Sequence, residues 1–128
     1  MNAFNRNVLS AAVSAVILTL GGLAHAEETI KIAVAGPITG PVAQYGDMQM
    51  IGAQMAVAQI NAKGGVNGKK LEAVLIDDVC EPKQAVAVAN QIVNQKIQYV
   101  VGHLCSGSTQ PAAKLYEEEG ILMITPAA

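Results

Sequence analysis

Tyr99-Val-Val-Gly-His-Leu-Cys-Ser-Gly-Ser-Thr109 compresses a short apolar run, a glycine break and a hydroxyl-rich helix start into one stretch. This predicts a buried strand running through a tight turn into a helix. A helix start presents unpaired backbone N–H groups at the positive end of the helix dipole, which suits a carboxylate or phosphate. Ser106, Ser108 and Thr109 add hydroxyls there, and Cys105 sits among them.

The same strand-to-helix pattern recurs along the chain. Thr29–Ala35 predicts a strand whose second half is continuously apolar, as in a strand covered on both faces. Gly36-Pro-Ile-Thr-Gly-Pro41 breaks it, and Val42–Lys63 predicts a weakly amphipathic helix stopped by Gly64-Gly65. Asn67-Gly68 marks a turn. Leu71–Ile76 is the second strand, closed by Asp77-Asp78. Glu81-Pro82 opens a helix with Ala85, Val86, Ala89, Ile92 and Val93 on one face. Tyr99–Val101 is the third strand. Pro111 is placed in the first turn of a third helix, with Ala112, Leu115 and Tyr116 inward, and Gly120 ends it before a fourth strand at Ile121–Ile124. The resulting βαβαβαβ pattern predicts an α/β fold, a parallel sheet flanked by helices on both faces. Every loop of interest follows a strand and therefore lies on one edge, where such sheets bind ligands.

Composition excludes several functions. A net charge of −2 without a basic cluster, and an aromatic content of 3%, argue against nucleic acid as a partner. Met1–Ala26 reads as a secretory signal peptide: Arg6 precedes the apolar run Val8–Leu20, and Ala24-His25-Ala26 is a small-x-small cleavage site. The run is shorter than the roughly 20 apolar residues of a membrane span, which disfavours an anchor. Glu27–Ala128 is then the folded part.

Cys80 and Cys105 are the only cysteines, and both follow strands. In an oxidising compartment they are read first as a disulfide, with two free buried thiols as the alternative. With strand order 2-1-3-4, a bridge would have to arch over the first strand. Two Cys and one nearby His do not make a metal cage. His103 with Cys105 is a nucleophile pair on paper only, since a disulfide consumes the thiolate. Ser106 lacks the Gly-x-Ser-x-Gly elbow and is assigned as the cap of the third helix. Gly36–Asp47 lacks a phosphate-loop spacing. Asp77 and Asp78 are read as a solvated strand end. Tyr45, placed between a Gly/Pro loop and a helix start, is suited to covering an apolar ligand group.

The runs Gly40–Asp47, Asn61–Gly65, Asp77–Asn90, Tyr99–Ser106, Ser108–Ala112 and Gly120–Ala128 resemble the leucine/isoleucine/valine-binding periplasmic proteins of branched-chain amino acid ABC importers. The resemblance implies a flavodoxin-like first lobe of a type I periplasmic binding protein, with no catalysis and no cofactor. Its partners would be a branched-chain amino acid and an inner-membrane permease complex. It assigns the backbone and hydroxyl of Ser106 to the ligand carboxylate and the Ala127 carbonyl to the ammonium, and counts the neighbouring Cys105 and Ala128 among the ligand-binding residues. Tyr45 would line the pocket for the aliphatic side chain, and Cys80 and Cys105 would form the family disulfide. Family members continue into a hinge and a second lobe, so Glu27–Ala128 is expected to be a partial N-terminal lobe that binds weakly or not at all alone. A ligand-sensing lobe of a receptor or regulator shares the fold and is the alternative.

Overall fold

The computed structural model describes residues 27–128, so the signal-peptide reading of Met1–Ala26 lies outside the described residues. Seven elements follow in the expected order: β1 (Thr29–Gly36), α1 (Ala43–Ala62), β2 (Lys70–Asp77), α2 (Pro82–Asn94), β3 (Tyr99–Gly102), α3 (Ser106–Glu118) and β4 (Leu122–Ile124). The strands form one parallel sheet in the order β2-β1-β3-β4. β1 is central, with Val34 paired to Leu75 on one side and Val101 on the other. Its Ala33, Val34 and Ala35 are essentially fully buried, which is why this run carries no polar alternation.

Helices α2 and α3 cover one face. Ala33, Ala35 and Val100 pack there against Ala85, Ala89 and Ile92 of α2 and Ala112 and Tyr116 of α3. The inward stripe of α2 includes Val88, while Val86 and Val93 are only partly buried, so the helix is rotated slightly from the face read in the sequence. Among the described residues, helix α1 alone covers the other face, and of its residues only Gly46 and Met50 are buried. A Cβ at Gly46 would collide with the Pro37 carbonyl, so glycine lets α1 approach the loop after β1. The helix ends in a Schellman motif: Gly64 and Gly65 have φ of +100° and +79°, and the Gly65 N–H reaches the Ile60 carbonyl at 3.0 Å.

Two expectations about α3 are corrected. The helix begins at Ser106, so Pro111 lies inside it and not in its first turn. Proline there forgoes one hydrogen bond to the Gly107 carbonyl, a loss that packing of Ala112 and Tyr116 offsets. The N-cap position is Cys105, and no side chain caps the helix, so Ser106 is not the cap.

Among the described residues, the short strand β4 forms one edge of the sheet, with Leu122 and Ile124 about 60% exposed (58% and 63%). An apolar edge with free backbone groups invites pairing with another chain. Ile124→Lys is expected to slow concentration-dependent association measured by light scattering while leaving the circular dichroism spectrum unchanged.

Candidate functional site

The carboxyl edge is organised by the turn after β2. The Asp77 carboxylate accepts hydrogen bonds from the Ile38 N–H at 2.8 Å, the Val79 N–H at 3.0 Å and the Thr39 hydroxyl. It thereby fastens the loop after β1 to the end of β2. Burial by itself would raise the Asp77 pKa, but the Thr39 hydroxyl and the backbone donors of Val79, Ile38 and Thr39 outweigh it and hold the group below its ordinary value.

Asp78 is fully buried, which overturns the reading of the acid pair as a solvated strand end. One of its oxygens accepts the Cys80 N–H at 2.9 Å; the other lies 2.6 Å from His103 Nδ1. With the carboxylate oxygen as acceptor, Nδ1 is the donor. His103 Nε2 then faces the Tyr116 hydroxyl at 3.0 Å. Burial and the Asp78 charge push the Tyr116 pKa up, which keeps the phenol protonated and able to donate to Nε2. The imidazole is thus fully occupied inside the protein, and it is not the base of a Cys-His pair.

Cys80 and Cys105 form a disulfide with Cα atoms 5.6 Å apart. Because β1 lies between β2 and β3, the bridge spans the end of β1, as the strand order required. Val79 and Cys80 both adopt the left-handed region, with φ of +53° and +61°. For a β-branched valine this is unfavourable by about 1–3 kcal/mol. The two aspartate side chains hold the N–H groups of these residues, and the bridge holds the end of the turn.

On the β3 side, Gly102 has φ +136°, and a Cβ there would run into the Ala35 carbonyl. Helix α3 starts three residues beyond His103. The Cys105 carbonyl accepts the N–H groups of Ser108 at 3.0 Å and Thr109 at 2.9 Å. Among the described residues, the earlier donors of Ser106 and Gly107 have no partner at an exposed helix start without a side-chain cap. Tyr45, 53% exposed, stands in the first turn of α1, and Ala127 and Ala128 are exposed just after β4. Parallel topology places all four sequence-predicted segments, those of Tyr45, Cys105-Ser106 and Ala127-Ala128 with the Cys80 turn, at the same edge.

Sequence reasoning missed several residues that build this edge. The Gln49 side-chain amide donates to the Ala35 and Val101 carbonyls at 3.1 and 3.2 Å, tying α1 to the ends of β1 and β3. Thr125 donates to the His103 carbonyl at 2.7 Å, and the Thr109 hydroxyl, already read as part of the helix start, is shared between the carbonyls of Cys105 at 3.0 Å and His103 at 3.1 Å. An apolar groove of about 460 Å³ lies under α1, lined by Ile32, Val34, Ala53 and Val57 among others, and reaches this edge at Met48 and Pro126.

A family model described as periplasmic binding protein matches residues 29–128. The chain belongs to that family. Among relatives of this periplasmic binding protein, a leucine-, isoleucine-, valine-, threonine- and alanine-binding protein of Pseudomonas aeruginosa is 68% identical over 80% of the chain and 28% of its own length. A Leu/Ile/Val-binding protein of Escherichia coli K12 is 58% identical over the whole chain and 34% of its own length. A solved branched-chain amino acid transporter substrate binding protein of Streptococcus pneumoniae, in complex with isoleucine, superposes with a TM-score of 0.75 at 38% identity. That match covers 79% of this chain and 29% of the solved one. The chain therefore spans about a third of the length of these relatives.

Two measurements probe the edge of the binding-protein chain. Replacing both Cys80 and Cys105 by Ser should lower the unfolding free energy in urea by about 3–4 kcal/mol, the chain-entropy value for closing such a loop. Asp77 has a folded pKa below its ordinary 3.8, so its contribution to stability is complete above that value and is lost as pH falls through the lowered one. Asp77→Asn should flatten the acid limb of a stability-against-pH curve and leave its neutral plateau lower.

Proposed function

We propose that this chain is an N-terminal part of the ligand-binding lobe of a solute-binding protein that takes branched-chain amino acids and delivers them to an ABC permease. In this reading Met1–Ala26 is a cleaved export signal, Glu27–Ala128 acts in the periplasm, and the protein binds without catalysing a reaction. The observation that carries it is the exposed, uncapped start of α3 at the carboxyl edge of the sheet, with Tyr45 and Ala127 at the same edge. The names of the relatives, which specify leucine, isoleucine and valine and in one case also threonine and alanine, support the ligand class.

The chemistry follows from the donors and acceptors. A free amino acid presents an anion, a cation and a side chain. The N–H groups of Ser106 and Gly107, with the Ser106 hydroxyl, suit the carboxylate, where the helix dipole adds to the attraction. The Ala127 carbonyl suits the ammonium, and the Tyr45 ring suits an aliphatic side chain. Fully burying such a side chain is worth about 1.5–3 kcal/mol, but a half-exposed Tyr45 covers only one side of it. Affinity of this chain alone should therefore be weak.

Titrating the isotope-labelled chain with L-leucine should shift the amide resonances of Ser106 and Gly107 saturably in the millimolar range. Ser106→Ala should weaken binding roughly fivefold, the effect of one hydrogen bond of about 1 kcal/mol. Shifts that are absent, or that L-aspartate reproduces equally well, would overturn the reading.

A further inference from the structure

The two ends of the site meet at one atom. The carbonyl oxygen of His103 accepts Thr125 Oγ1 at 2.7 Å and shares the Thr109 hydroxyl, at 3.1 Å, with the Cys105 carbonyl at 3.0 Å. Thr109 lies in the second half of the first turn of α3, so its shared hydroxyl links the start of that helix to the His103 carbonyl. Thr125 follows β4, and its hydroxyl oxygen in turn accepts the N–H groups of Ala127 at 3.4 Å and Ala128 at 3.1 Å. It fixes the segment whose carbonyl faces the ammonium. The carbonyl itself is held from behind, because the His103 ring is fully buried between Asp78 and Tyr116.

We propose that His103 is a positioning residue, and that its carbonyl, through Thr109 and Thr125, sets the separation between the carboxylate donors of α3 and the Ala127 carbonyl. On the ligand orientation proposed above, that separation decides the preference for an α-amino acid over the same acid without its ammonium. A hydroxyl is required at residue 125, because one group must donate to His103 and accept from Ala127 and Ala128 together. Valine has the shape of threonine but can do neither.

The test uses the purified full chain, its Thr125→Val and Thr125→Ser variants and Tyr116→Phe, with L-leucine and 4-methylpentanoate as paired ligands. Amide hydrogen exchange is read without ligand. In Thr125→Val, exchange at Ala127 and Ala128 should rise about tenfold, as expected for losing roughly 1.4 kcal/mol, while Val100 in β3 is unchanged. The preference for leucine over 4-methylpentanoate should fall by a similar factor, whereas Thr125→Ser should keep both properties. Tyr116→Phe, which unfastens the ring but leaves the hydroxyls, should lower the same preference, and it decides the matter if Thr125→Val loses protection at Val100 as well. Unchanged exchange in Thr125→Val, an unchanged preference, or equal loss in the valine and serine variants overturns the positioning role alone. If the unaltered chain binds 4-methylpentanoate as well as leucine, the ligand orientation fails, and the positioning role fails with it.

Discussion

The buried contact between Asp78 and His103 is the constraint on which the carboxyl edge depends. It joins the turn after β2 to the turn after β3 across β1, inside the protein, where a charge-assisted hydrogen bond contributes about 1.5–3 kcal/mol. The disulfide repeats the same connection on the outer side. A buried carboxylate without such partners would be strongly unfavourable, so Asp78 is tolerable only because the Cys80 N–H and the imidazole both meet it. The left-handed pair Val79-Cys80 follows from this geometry. The chain must reverse sharply for one residue to reach inward to His103 and another outward to Cys105.

The layout of the fold was legible because each level of the sequence agreed with the next. Continuous apolar runs such as Ala33–Ala35 can only be central strands, and Gly64-Gly65 and Gly120 ended helices where they were expected. The misplaced start of α3 has a specific cause. Pro111 looks like a first-turn signal, yet a proline is tolerated deeper in a helix when tertiary packing compensates for one lost bond. Val88 was hidden in a run of alternating Ala and Val, where several faces of α2 look equally apolar.

That the candidate residues share one sheet edge was legible; how that edge is built was much less so. Parallel topology alone puts Tyr45, Ser106 and Ala127 on one edge. The roles of Asp78, Tyr116, Thr109 and Thr125 depend on contacts between residues distant in sequence, such as the 2.7 Å bond from Thr125 to His103. Adjacent aspartates also mislead, since strand alternation sends one outward to the loop after β1 and the next inward to the imidazole.

Val79 has a further consequence. Its Cγ1 would lie 3.1 Å from a Cβ placed at Gly40, so the β2 turn already rests against the loop that leads into Tyr45. Asp77 fastens that same loop from beneath. The loops after β1, β2 and β3 are therefore tied to one another by the Asp77 and Asp78 hydrogen bonds and the disulfide. A change in loop length at Gly40 would be transmitted sideways to the cysteine bridge before the core registered it.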